Sequence, residues 1–325
     1  LMTFSFMPLF FIGFLFTAGP KWLGLREVSA PTLLPGVMAS LAGWAVFLMG
    51  VHGAAPLAAI GLGAVAWGWT GFAHRFWKLL RASEVADRTH ARVIAVACSI
   101  GVASLWAAVA GLALEQPGVV YGALAVGLWW FVAPVYAAVL HRMIPFFTAS
   151  AVPLLDAWRP TWLLWTWITL LALQVPLSMG VAAGAGAAPV EFAVNAAAGA
   201  LLIWLAVRWG LVQSLKIRLL AMLHLGFLWL GLAFALQAAS IALVWLSGGG
   251  LDLGLAPLHA VTMGFLGSTL VAMATRVSSG HGGRALAADN FVWAIFWCVQ
   301  LAIVLRLLAA FWVGPSAQLL TAAAA

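Results

Sequence analysis

Charge is what this sequence has least of. Only 7% of its 325 residues are Asp, Glu, Lys or Arg, against about 25% in an ordinary soluble domain. So little charge cannot cover a water-facing surface, whereas lipid tails solvate an apolar exterior directly. Tyrosine is scarce too, at 2 residues beside 19 Trp and 19 Phe. Trp suits the membrane interface and close-packed helix bundles. Cysteine is limited to Cys98 and Cys298, both in apolar runs and with no CxxC. A secreted disulfide framework is thereby excluded, and both cysteines read as small packing residues.

What the sequence has instead is apolar length, with 65% of residues hydrophobic. A membrane span needs roughly 20 such residues in a row. Ten segments qualify: 1–19, 33–51, 54–73, 93–113, 118–140, 161–180, 189–207, 219–246, 256–275 and 291–313. They are too long for strands and do not alternate. The expected fold is all-α, a polytopic transmembrane helix bundle of about ten spans forming a single transmembrane domain over 1–325. The chain opens on Leu1 in an apolar run, without the charged front of a signal peptide. An N-terminal segment of the natural chain is therefore expected to precede it.

The formal net charge is +7, from 15 basic and 8 acidic residues. In a chain this apolar, the excess points to loops held on one side of a membrane rather than to nucleic acid. Counted from loop to loop, Lys and Arg run 2, 0, 5, 0, 2, 0, 3, 0, 2. The basic loops alternate, so they are expected on the cytoplasmic side. Both ends of the chain then face the periplasm of a bacterial inner membrane. The polar stretch 74–92, with Phe76, Leu79 and Leu80 against Lys78, Arg81 and Arg88, suggests a short interfacial helix on anionic lipid. Nothing in the sequence sets the oligomeric state.

The seven histidines fall into two groups by this orientation. His74, His90, His141, His224 and His281 lie at or near the cytoplasmic face, and His52 and His259 near the other. A core of about 30 Å separates the groups, so His224 and His259 are not expected to share one site. His52 reads as a cap or surface residue and His90 as solvated. His74 and His141 are placed to bond terminal carbonyls. His224, inside AMLHLGFLWL, must find a partner in an apolar span. That partner is either another helix or a metal.

The densest pattern is LHAVTMGFLGSTLVAMATRVSSGHGGRAL, residues 258–286. His259, Thr262 and Met263 fall on one α-helical face. Gly264 and Gly267 admit a close neighbour, whether a backbone or a flat macrocycle. Imidazole and thioether are ligands for haem iron or copper. The helix is expected to end at Arg276, followed by a turn carrying His281 and then Arg284, an arrangement suited to an anion or a metal. The bland alternative is a small-residue packing helix with a basic loop. Arg306, deep in the last span, requires an anion. Asp252, Glu115 or a haem propionate would supply one, and the alternative is a side chain that snorkels to the interface.

This stretch resembles the signature of the NnrS family, bacterial membrane proteins of the nitric oxide response that are linked to denitrification and described as containing haem and copper. His259, Thr262, Gly264, Gly267, Thr275, Arg276, Val277, Gly280, His281, Gly283 and Arg284 match it. HRMIPFFT, with Arg142, Ile144, Pro145, Phe147 and Thr148, and GFLFTAGPKWLG match two further segments, and LHLGFLWLGLAF with His224 another. A His-x-His-Glu element of the family would fall at or before Leu1. The resemblance implies a haem b protein, with copper as a second cofactor, that binds nitric oxide. His259 is the first ligand candidate, with Met263 near it and Arg306 as a propionate partner. His224 and His281 are candidates for a separate metal. The rival reading is a cofactor-free transporter or assembly protein, with Pro134 and Pro176 breaking helices. A haem–copper oxidase is disfavoured, since the sequence has no His-His or His-Pro pair.

Overall fold

A computed structural model describes residues 2–152, 154–182, 186–283 and 287–311. Every regular element among the described residues is a helix. Ten helices are long and apolar enough to cross a membrane: α1 Phe4–Trp22, α2 Ala30–Gly53, α3 Ala55–Ala82, α4 Thr89–Ala113, α5 Pro117–Ala151, α6 Thr161–Gly180, α7 Ala188–Arg208, α8 Arg218–Leu246, α9 Ala256–Gly280 and α10 Asn290–Ala310. These are the ten expected spans in the expected order, and the protein is a multi-pass membrane protein. Large apolar side chains such as Ile60, Trp67, Trp297 and Leu301 are exposed along them, as a lipid-facing surface requires.

The differences lie at helix ends. The stretch 74–92 does not form a separate interfacial helix, because α3 runs on without a breaker to Ala82. The chain then turns at Ser83, whose hydroxyl donates to the Leu23 carbonyl at 2.8 Å. Arg88 is drawn into the same turn, donating to the Ser83 carbonyl at 2.8 Å. Helix α5 continues past residue 140 to Ala151 with Pro145 inside it, so His141 lies within a helix and not at its end. Helix α9 likewise runs past Arg276, and its backbone stays helical to His281. Three stretches adopt the wider π turn: Met2–Phe6, Gly127–Val132 and Ala260–Gly267.

The chain divides into two compact units, Leu1–Leu140 and His141–Ala325. In the first, α2 and α3 make the closest pair. A Cβ on Gly61 would land on the Phe47 backbone nitrogen, and one on Gly43 would sit 2.6 Å from the Gly61 carbonyl. Small residues bring backbones together because lipid gives helices no hydrophobic drive to associate. The buried Phe131 ring lies against Gly101 and packs edge-on to Trp69 and Phe11 at 5.4 and 5.8 Å. In the second unit, α8 is the central helix, packed against α7 on one side and α9 on another, and α10 packs on α9.

The α2–α3 contact gives a matched pair of substitutions. Gly61→Ala should lower stability by about 1–3 kcal/mol, the usual cost of overpacking. Gly63→Ala, where an added Cβ meets nothing within 4 Å, should not lower it. Thermal unfolding of the purified protein in detergent checks both.

Candidate functional site

The contacts along α8 set the depth of every candidate ligand in the second unit. A Cβ on Gly226 would strike Thr269, and one on Gly264 would strike the Trp229 ring at 2.8 Å. The two helices are therefore antiparallel. In that register His259 sits level with a point about ten residues along α8 from His224, roughly 15 Å away at 1.5 Å per residue. The two histidines cannot ligate one ion, in agreement with their assignment to different faces.

His224 is fully buried. Its Nε2 lies 2.9 Å from the Thr148 hydroxyl, which itself donates to the Ile144 carbonyl at 2.9 Å. The hydroxyl proton is committed to that carbonyl, so the threonine oxygen accepts and His224 Nε2 carries the hydrogen. Its Nδ1 then presents a lone pair, and that atom is buried with no partner among the described residues. Next to Thr148 on α5, Phe147 lies under the Arg276 guanidinium, 3.5 Å from carbon to ring centroid. This is a cation–π contact in an apolar setting. His141 donates through Nε2 to the Pro160 carbonyl at 3.2 Å, and Arg159 donates to the Arg142 carbonyl at 2.9 Å. Three stretches far apart in sequence, 141–148, His224 and Arg276, thus meet at one end of the unit.

The other group is built on α9 and α10. Ser268 and Gln300 are joined by a 2.7 Å hydrogen bond, which aligns the two helices antiparallel and brings Arg306 within about one turn of the level of His259. The guanidinium is close enough to act on the imidazole electrostatically. His259 Nδ1 and Arg306 Nε are both buried without a hydrogen-bond partner among the described residues. Arg306 forms no ion pair among those residues, and Asp252 instead accepts the Gly254 N–H at 2.8 Å. Because Ala260–Gly267 is a π segment, hydrogen bonds there run i→i+5. The wider turn keeps Met263 near the face of His259 and carries Thr262 off it. The Thr262 hydroxyl donates to the Leu258 carbonyl at 2.8 Å. The space beside Gly264 is filled by the Trp229 indole, whereas a Cβ on Gly267 would meet only the Thr262 carbonyl, at 3.6 Å. The side chain of His281 and the whole of Arg284 lie outside the described residues.

Sequence reasoning missed the residues that bind these helices together. Trp229 Nε1 donates to Gln300 Oε1, and Gln300 Nε2 donates to Ser268, both at 2.7 Å. One glutamine thus ties α8, α9 and α10. A lone Gln in the apolar run WCVQLAIVL was the available signal, since a polar group in a span must find partners. The role of Thr148 was hidden, because only its family match had singled it out.

A family model described as NnrS protein matches residues 1–325, the whole chain. The chain belongs to the NnrS family. No curated protein and no solved structure matches it. Family membership covers both histidine groups and the motifs that join them.

The Thr148–His224 pair is testable by itself. Thr148→Val leaves the buried Nε2–H without an acceptor and should cost about 1–3 kcal/mol. Thr148→Ser keeps the hydroxyl and should retain most of the stability. Thermal midpoints of the two variants decide it.

Proposed function

We propose that this NnrS-family chain is a haem protein of the bacterial inner membrane that responds to or relieves nitric oxide stress, in a setting linked to denitrification. The observation that carries this reading is the pairing of His259 with Arg306. A histidine that holds haem iron needs a ring nitrogen free of other bonds, and His259 Nδ1 has no hydrogen-bond partner among the described residues. A haem b also brings two propionates into the membrane, and they need cations. Arg306 is an intramembrane guanidinium without an anion among the described residues, so the two spare capacities complement the two ends of one macrocycle. Met263, half-buried one turn from His259, and Gly267, where there is room, lie beside it.

When bound, haem iron supplies a site for a diatomic ligand, with pocket polarity and access setting the outcome. The chain's own contribution is to hold His259 just ahead of the wide π segment, to neutralise the acidic edge with Arg306, and to keep water out with apolar helices. Copper fits less well. No group of three His, Cys, Asp or Glu side chains able to hold a metal ion exists among the described residues. His224 acts here as a helix-joining residue, through its contact with Thr148. The basic helix ends are assigned to the cytoplasm and the chain's ends to the periplasm.

The test is a reduced-minus-oxidised spectrum of the detergent-purified protein after haem-replete expression, with and without nitric oxide. A Soret band that shifts with nitric oxide is expected. His259→Ala should lower haem occupancy by at least about tenfold, and Arg306→Ala should weaken retention while the protein still folds. His224→Ala should leave the band in place. A colourless wild-type protein would overturn the haem reading in favour of a cofactor-free transporter or assembly protein.

A further inference from the structure

Helix α7 carries a carboxylate that neither histidine group uses. Glu191 lies in the first turn of this 21-residue helix and is only 6% exposed. Among the described residues, its side chain accepts a hydrogen bond from Gln237 of α8, donating through Nε2 to Oε1 at 3.0 Å. No Lys, Arg or His forms an ion pair with it among the described residues. One turn further on, Asn195 is fully buried. Its amide nitrogen donates to the Glu191 carbonyl at 2.8 Å, holding the side chain alongside that turn. The amide oxygen of Asn195 is buried with no partner among the described residues. The contact is tight around this cluster. Gly199, one turn deeper, leaves room for a Cβ only 2.9 Å from the Ala235 backbone nitrogen.

A buried carboxylate and a buried carbonyl oxygen on the same helical face are both short of a positive partner. Each is costly in an apolar span unless one is found. A proton would satisfy the carboxyl and leave the Asn195 oxygen orphaned unless the two met. An ionised Glu191 carboxylate and the Asn195 amide oxygen make an oxygen donor pair of charge −1, with Gln237 holding the carboxylate through its Nε2. Hard cations take oxygen ligands, and a single negative charge matches a single positive one. We propose that Glu191, Asn195 and Gln237 form a binding site for a hard monovalent cation, sodium or potassium, in the α7–α8 contact. The cation lies between the carboxylate and the Asn195 carbonyl oxygen, and Gln237 closes the site from α8. The bound ion locks the two helices together, so cation binding stabilises the fold.

The full chain in detergent tests this directly. Sodium chloride and potassium chloride are titrated against choline chloride at constant ionic strength, and the thermal midpoint is followed. A saturable rise with sodium or potassium and none with choline is expected. Glu191→Gln should abolish it, and Asn195→Ala should shift the half-saturating concentration upward by roughly tenfold, the loss of one oxygen ligand. The same rise with choline, or an undiminished response in Glu191→Gln, overturns the proposal. So does stabilisation that follows pH in choline alone, which would make Glu191 a proton acceptor instead. If the variants fail to fold, radioactive sodium binding to the wild-type protein decides. Saturable binding displaced by sodium or potassium but not by choline supports the site, and its absence with both ions refutes it. None of these readouts depends on haem, so this inference and the function proposed above stand or fall separately.

Discussion

Every polar group inside this protein must find its partner without water. That constraint explains why the described chain is all helix, since a helix satisfies its own backbone. It also explains which side chains decide the tertiary arrangement. Ser40, Ser99, Thr148, Thr166 and Thr275 each return a hydroxyl proton to a carbonyl of their own helix, the cheapest solution available to a hydroxyl in a span. Groups too long or too rigid for that solution must cross between helices. Gln300, His224 and Gln237 do so, and they join α10, α5 and α7 to their neighbours.

The same constraint makes the exceptions informative. His259 Nδ1, Arg306 Nε and Asn195 Oδ1 are sealed from solvent and left unpaired. They are three of ten such atoms among the described residues, and each stands beside a further polar or charged side chain, His259 beside Arg306 and Asn195 beside Glu191. In the function proposed above, His259 and Arg306 would answer to one acidic macrocycle with a ligand-hungry metal. Asn195 and Glu191 answer to a small cation. Helix α8 serves both, because its α9-facing side carries Trp229 and its α7-facing side carries Gln237. The wide π turn of Ala260–Gly267 lies where His259 must be presented, consistent with the recurrence of such turns at functional sites.

Much of the architecture was legible beforehand. All ten spans could be read in order, because a stretch of apolar residues long enough to cross a bilayer has few alternatives to a helix. The separation of His224 from His259 was legible too, since counting spans assigns each residue to a face. The extents of α3, α5 and α9 were not. Polar residues such as Lys78, Arg142 and Arg276 looked like loop signals, yet each is carried by a helix that continues beyond it. Hydropathy marks where the apolar core stops, and backbone hydrogen bonding does not stop there.

Composition and span length thus determined the class of protein and the number of membrane-length helices, because burial in lipid acts on each segment separately. Which residues meet was decided only by tertiary packing. The π turn that separates Thr262 from the face of His259, the indole that fills the space at Gly264, and the placement of Phe147 beneath Arg276 all arise from contacts between different helices or from local backbone choices that no periodicity records. Pairing depends on the shape each helix presents to its neighbour, and that shape exists only once the helices have packed.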